Sequence, residues 1–207
     1  MQMRISSNSE SLRRTYSIPD GELYFMERIA DEATLNHWMK GIITKTEWSQ
    51  PEVRVFNRLH RVPRLTAFYG DPEIHYAYAG HLHRALPWFN ELSEVKNAVE
   101  EISQESYNSV LLNYYRDGND RMGWHADNES SLGQNPIIAS VSLGAERFFD
   151  LKHRHLANQR VRIQLTHGSL LVMSGALQHH WLHQIPAQKK IAEPRLNLTF
   201  RRVFWSQ

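Results

Sequence analysis

A chain of 207 residues with 41% hydrophobic content can bury one sizeable core, so a single globular domain is expected. No apolar stretch approaches the length of a membrane span, and Met1-Gln2-Met3-Arg4 leads into serines rather than an export-signal core, which points to a soluble intracellular protein. The absence of cysteine excludes disulfides and thiolate metal sites, leaving 12 histidines and the carboxylates as ligands, and a net charge of +2 argues for nucleic acid only where a local patch does.

Residues 1–15 are polar and serine-rich and read as a flexible tail ahead of one domain over 16–207. Leu23, Met26, Ile29, Ala30 and Ala33 recur at helical spacing behind Pro19-Asp20-Gly21, which predicts a helix over 22–39 with Asp20 as its cap. Residues 45–56 mix Trp48, Val53, Val55 and Phe56 with polar side chains. A second helix is predicted over 88–101, with Leu92, Val95 and Val99 on one side. From residue 110 the period changes to two. The runs 110–115, 137–143, 147–151, 161–165, 169–173 and 196–203 are short and rich in branched or aromatic residues. Turn signals such as Asp117-Gly118-Asn119-Asp120, Gly133-Gln134-Asn135-Pro136 and His167-Gly168 separate them. The chain is therefore mainly β with α additions: an α-rich part over 16–108, then a β core over 109–207.

Alternate residues of a strand face opposite sides, so Arg195, Asn197, Thr199 and Arg201 share one face while Leu196, Leu198 and Phe200 share the other. The polar face must look into something wet or charged. Asn113 and Tyr115 likewise share a face, and a barrel or jelly roll with a polar interior at one end fits both strands. Arg195 and Arg201 lie roughly 20 Å apart along a straight strand, yet side chains leaning inward could grip one small diacid, for which the planar guanidinium is suited. In Gly123-Trp124-His125-Ala126-Asp127, His125 and Asp127 project from one face of an extended segment and can occupy neighbouring positions on an ion. A distal histidine would complete the two-imidazole, one-carboxylate set that holds non-haem Fe(II) with positions left open. His179, His180 and His183 are the candidates; parity puts His179 and His183 together against His180 if the segment is extended, and alone does not choose between that pair.

These residues carry a resemblance to the AlkB family of Fe(II)- and 2-oxoglutarate-dependent nucleic-acid dealkylating dioxygenases, in particular to homologues acting on duplex DNA. It runs over 53–204 and rests on Val55-Phe56, Val62-Pro63-Arg64, Tyr69-Gly70-Asp71, Tyr76-Ala77-Tyr78, Asn113-Tyr114-Tyr115, residues 123–127, Glu129, residues 136–144, His167-Gly168-Ser169-Leu170-Leu171, His180-Trp181-Leu182-His183 and residues 195–201. The Arg-x-Asn-x-Thr-Phe-Arg run is its most specific part. The resemblance implies a double-stranded β-helix (jelly roll) core over 109–207, with N-terminal helices and a nucleotide-recognition lid over 16–108. It implies His125, Asp127 and His183 as iron ligands, which selects His183 as the distal histidine. Asn113, Tyr115, Arg195, Asn197 and Arg201 would hold 2-oxoglutarate. Molecular oxygen is the further co-substrate, and oxidative decarboxylation to succinate would drive hydroxylation of an N-alkyl carbon with loss of formaldehyde.

The same resemblance places Tyr76, Tyr78 and Glu129 around a flipped-out base, and Phe56 at the tip of a finger that fills the gap left in the duplex, with Arg64 near the DNA. Arg54, Arg58, Arg61 and Arg64 surround Phe56 with no acid among them, which is the local basic patch that the net charge lacks. Asn57 stands where close relatives have glycine, and asparagine tolerates a left-handed turn. Lys189 and Lys190 are candidates for phosphate contacts, although Gln188 interrupts a longer basic run found in some relatives. The expected partner is alkylated DNA, duplex rather than single-stranded, bound by a monomer with no membrane association. The alternatives are an RNA demethylase and a protein hydroxylase built on the same iron centre.

Overall fold

Pro19-Asp20-Gly21 turns a hairpin rather than starting a helix. In the computed structural model, which describes residues 13–55, 58–78 and 81–204, and side chains there except those of 53–55, 58, 76–78 and 81–83, strand β1 (Arg13–Ile18) pairs antiparallel with β2 (Gly21–Met26). Asp20 takes φ 54 in the turn, and Ile18 lies opposite Gly21. The helix predicted over 22–39 is thus corrected: its first part is a strand buried on both faces. Leu23 and Phe25 enter one apolar cluster while Met26 and Tyr24 pack in another, and a contiguous apolar run of this kind contains helical spacings by accident. Arg13 to Thr15, read as part of a tail, lie in β1, and residues 1–12 fall outside the described residues.

The helix itself, α1 (Glu32–Lys45), begins where Asp31 accepts a hydrogen bond from the Thr34 backbone N–H. Leu35, Trp38 and Ile42, three and four residues apart, form its buried face. α2 (Asn90–Ser103) buries Leu92, Val95 and Val99 as the spacing predicts, and it is joined to α1 by Trp38 Nε1 donating to Glu94 and by the Lys45–Glu91 ion pair at 2.6 Å. Between the helices lie the hairpin β3 (Glu52–Val55) and β4 (Arg58–Arg61), then β5 (Leu65–Gly70), then the hairpin β6 (His75–Tyr78) and β7 (His81–Arg84). The part over 16–108 is therefore richer in strands than the helix-dominated expectation.

The remaining strands are β8 (Ser109–Tyr115), β9 (Met122–His125), β10 (Ile138–Gly144), β11 (Arg147–His153), β12 (Arg160–Leu165), β13 (Ser169–Ser174), β14 (Trp181–Ile185) and β15 (Arg195–Arg201), with one helical turn, α3 (Leu177–His180), before β14. Six follow the predicted runs within two residues. β9 and β14 were not among the predicted runs, although residues 123–127 were read as extended: each is short, and β9 offers little apolar alternation.

A seven-stranded sheet in the order β1-β2-β13-β10-β15-β8-β5 faces a four-stranded sheet in the order β12-β11-β14-β9, and every pairing is antiparallel. α1 and α2 cover the outer face of the larger sheet, where Leu112, Val141, Leu196, Leu198 and Phe200 meet Leu35, Trp38 and Val95. The inner faces share a second cluster that includes Leu23, Phe25, Leu171, Phe149, Leu151 and Trp181. This is a mainly β jelly roll with helical additions, in which each strand alternates between two packed layers. Leu198 is wholly buried against the helices. Replacing it with alanine should lower unfolding free energy by about 2–5 kcal/mol, read from the urea midpoint at unchanged slope.

Candidate active site

Antiparallel register brings the candidate ligands together. β14 pairs with β9 so that His183 stands opposite His125, and cross-strand neighbours of this kind have Cβ atoms within about 5.5 Å. Their ring centroids are 4.2 Å apart, and Asp127, two residues beyond His125, completes a group whose ligand atoms lie within 4.8 Å of one another. His125 Nδ1 donates to the Gly123 carbonyl at 2.8 Å, which leaves the Nε2 lone pair facing Asp127 Oδ1 at 3.8 Å. Burial, with the neighbouring His125, pulls the His183 imidazole down to about 3, so it is neutral at physiological pH. Burial alone would raise the Asp127 carboxyl, but Arg201, His183 and His125 together outweigh it and hold the group well below the usual carboxylate range. Arg201 Nη2 stands 3.0 Å from Asp127 Oδ2. The donors are thus two imidazoles and one carboxylate, a set that fits Fe(II).

β15 supplies the other end of the cavity. Arg195, Asn197, Thr199 and Arg201 all face inward, as their parity predicts, and line the same cavity as Asn113, Tyr115, His125, Asp127 and His183. β8 lies alongside, with Tyr115 opposite Arg195 and Asn113 opposite Asn197. Asn113 Nδ2 and Thr199 Oγ1 both donate to Asn197 Oδ1, at 3.3 and 3.0 Å, while Asn197 Nδ2 donates to Ser140 Oγ at 2.8 Å. Arg195 is 1% exposed, and its Nη2 donates to Ser142 Oγ at 2.8 Å. Its Nε and Nη1 are buried without an acceptor in hydrogen-bond geometry. Burial pushes this guanidinium down to about 10; Tyr115 opposes the shift and the charge of Arg147 adds to it. A buried cation with unmet donors suits a carboxylate, so this end of the cavity fits a small diacid.

The other residues singled out in the sequence fall at different distances from this centre. Arg64, expected beside nucleic acid, is 4% exposed, with Nε donating to Asn113 Oδ1 at 2.6 Å. Glu129 is half-buried and leads into the single 3-10 turn Ser130–Leu132. Tyr76 and Tyr78 lie in β6, but their side chains are outside the described residues, as is the whole of Phe56. His179 is exposed, and it and His180 end the helical turn α3, so strand parity does not apply to them and could not choose between His179 and His183. Lys189 and Lys190 are exposed in the turn after β14.

Two supporting residues carried no sequence signal. Gln178 Oε1 accepts the Asp127 backbone N–H at 3.0 Å while its Nε2 donates to Met173 Sδ at 3.6 Å, so a buried amide steadies the carboxylate's backbone. Phe149 stacks on His183 at 5.2 Å between centroids. A second cluster, Asp20, His153 and His180, also gathers within 4.8 Å. There His153 Nδ1 accepts the backbone N–H groups of His155 and Leu156 at 3.1 and 3.0 Å, so the ring proton sits on Nε2 and bonds Asp20 at 3.1 Å. Both nitrogens are used, and the cluster is a clasp between the first hairpin and β11 rather than a cation site.

With this geometry stand a match to a family model and three likenesses to known proteins. The family model described as the 2OG-Fe(II) oxygenase superfamily matches residues 22–201. DNA oxidative demethylase ALKBH2 of Mus musculus is 41% identical over 159 residues, 73% of this chain and 66% of that protein. Alpha-ketoglutarate-dependent dioxygenase alkB homolog 3 of Homo sapiens is 42% identical over 154 residues, 70% of this chain and 53% of that protein. The matched region thus spans between about half and two thirds of these relatives' length. The solved structure of OsALKBH1 shares the fold with a TM-score of 0.61 at 15% identity, covering 91% of this chain and 100% of that one. The chain belongs to the 2OG-Fe(II) oxygenase superfamily, as a member of its AlkB family. Because Gln178 holds the backbone of one candidate ligand, Gln178→Met should lower Mn(II) affinity about 10- to 100-fold in a calorimetric titration, in a chain that still melts cooperatively.

Proposed function

We propose that this protein is an Fe(II)- and 2-oxoglutarate-dependent dioxygenase that removes alkyl groups from base nitrogens of DNA, as in 1-methyladenine and 3-methylcytosine, with duplex DNA as the preferred form. The observation that carries the reading is the meeting of His125, Asp127 and His183 in one buried wall, with Arg195 and its unmet Nε and Nη1 on the same cavity. On this reading the three ligands hold the metal and Arg195 takes the distal carboxylate of 2-oxoglutarate, while Arg201, Asn113, Tyr115 and Asn197 line the remainder. Bound iron with 2-oxoglutarate and oxygen supplies the oxidation that hydroxylates an N-alkyl carbon, yielding succinate, carbon dioxide and, from a methyl lesion, formaldehyde.

The chain's own side chains prepare that chemistry. Arg201 keeps Asp127 ionised, and the Gly123 carbonyl holds the His125 tautomer that presents Nε2. Phe149 packs on the face of His183 and, with Leu111, Met122, Met173 and Ile185 in the cavity wall, limits water beside the ligands. A base still stacked in a helix cannot enter such a cavity, so the target nucleotide must be turned out of the stack. Alkylation at a pairing nitrogen weakens the base pair and lowers that cost.

The DNA assignment draws support from the mouse relative, whose name is DNA oxidative demethylase. The duplex preference draws on the β3–β4 hairpin, which presents Leu59 at 61% exposure and Arg61 to solvent and carries Phe56, Arg54 and Arg58 in sequence. Glu129, Tyr76 and Tyr78 are proposed to frame the flipped base.

Incubating a methylated oligonucleotide with the protein, iron, 2-oxoglutarate and oxygen should lower the oligonucleotide mass by one methylene equivalent and produce formaldehyde; turnover confined to RNA would overturn the DNA assignment. Asp127→Ala removes the one anionic ligand and should cut turnover by more than the about 100-fold that outer partners of a metal site command. Wild-type turnover by that variant would sink the metal site. Phe56→Ala should reduce repair of duplexes at least about tenfold more than repair of single strands; equal losses on both would remove the finger from the account.

A further inference from the structure

Arg147, at the start of β11, is 1% exposed, yet its hydrogen bonds reach only neutral oxygens. These are the carbonyls of Asp117 at 3.2 Å, Asp120 at 2.8 Å and Pro186 at 2.7 Å, and Gln188 Oε1 at 3.3 Å. The Asp117 and Asp120 carboxylates are near enough to favour its charge, but neither is hydrogen-bonded to it, and Asp120 is bonded to Arg116 at 2.8 and 2.9 Å. Meanwhile the Arg147 guanidinium lies 5.6 Å from the centroid of the Tyr115 ring, and Arg195 lies 5.1 Å from the same centroid. Two buried cations therefore share one aromatic ring in the wall of the cavity. Asp117 and Asp120 offset part of the Arg147 charge from outside the cavity and the tyrosine face a further part, but on the cavity side, where Arg195 has unmet donors, two like charges remain unfavourable unless an anion joins them.

We propose that Arg147 is a positioning residue for the co-substrate's distal carboxylate: acting through Tyr115 on Arg195, it adds the second positive charge that makes this end of the cavity select a diacid over a monoacid. The proposal rests on the reading of the cavity as a 2-oxoglutarate site. Gln188 explains how Arg147 stays in place. Its Oε1 also accepts the Phe148 backbone N–H at 2.8 Å, and its backbone is bonded to Gly118, so the turn carrying Lys189 and Lys190 is tied to the guanidinium. An arginine or lysine at 188 would offer no acceptor to either donor, which accounts for the interruption of the basic run at this position.

The test exploits this bond. Gln188→Glu keeps the shape and both accepted hydrogen bonds while placing a negative charge on Arg147, and Arg147→Lys keeps the charge while losing the fork. Binding is measured by calorimetry on Mn(II)-loaded protein without oxygen, comparing 2-oxoglutarate with 2-oxopentanoate, which has the same chain length and no distal carboxylate. Gln188→Glu should weaken 2-oxoglutarate about three- to tenfold, leave 2-oxopentanoate within about twofold, and not lower the melting temperature. Arg147→Lys should melt lower yet keep the diacid preference within about twofold. A purely structural role predicts the reverse, with Arg147→Lys harming both acids and Gln188→Glu harming neither, and that pattern would overturn the proposal. Arg195→Gln serves as the reference: if it leaves 2-oxoglutarate affinity unchanged, the cavity reading itself fails; if it weakens binding while Gln188→Glu does not, only the part assigned to Arg147 fails.

Discussion

The buried polar face of β15 is the constraint on which the rest of the molecule depends. All seven residues from Arg195 to Arg201 are buried, yet four of them are polar or charged, and they alternate with Leu196, Leu198 and Phe200. Burying two guanidiniums and an amide on a central strand is unfavourable unless each finds partners, whereas the apolar face gains stability from packing under both helices. The strand therefore has to sit between β8 and β10, where Asn113, Ser140 and Ser142 answer the polar side, and it has to face a second sheet that keeps water out. The fold is the means of holding an unfavourable face in place.

The smaller sheet supplies what that face lacks. Its edge pair β9 and β14 sets two imidazoles opposite each other, and the chain beyond His125 bends so that Asp127 meets Arg201 of the larger sheet. The ion pair ties the sheets together at the point where the candidate ligands gather. A carboxylate flanked by a guanidinium and two imidazoles stays ionised, and the His183 imidazole held in an apolar wall stays neutral, so Asp127 and His183 are in ligating form without the metal's help.

Much of this was legible in the sequence, for reasons that also explain the gaps. Period-two alternation in 195–201 predicted both faces of β15, because one face is polar and the other apolar and the contrast survives in a single strand. The helix at α2 was legible because its outer side is solvated. The segment 22–26 misled because it is buried on both sides, so its run of apolar residues has no period to read. β9 was read as extended only from its ligand spacing and not as a strand run, because Gly123 and Trp124 are exposed on an edge strand and leave no apolar alternation. Gln178 and Arg147 could not be found at all. Each acts through partners distant in sequence, on Asp127 across 51 residues and on Pro186 across 39, and a glutamine or arginine has no pattern of its own. The choice of His183 over His179 and His180 came from family resemblance; geometry supplies the reason, since only His183 belongs to the strand that pairs with β9.

Arg64 gives the proposed nucleic-acid surface a fixed reference to the cavity. It follows the β3–β4 hairpin directly, yet its side chain turns inward to Asn113, and the Pro63 carbonyl accepts the Arg121 backbone N–H just before β9. From there β5 runs alongside β8, with Thr66 opposite Asn113. The base of the hairpin is thus bonded both to the strand that lines the diacid end and to the segment that leads into His125. A hairpin delivers a base to one place only if its root is fixed. On the proposed function this matters, because oxidation at an N-alkyl carbon needs the flipped base within about 3–3.5 Å of its reactive position, and an error of one ångström is costly. The position of Arg64 inside the wall, rather than in solvent like Arg61 of the hairpin, is what supplies that rigidity.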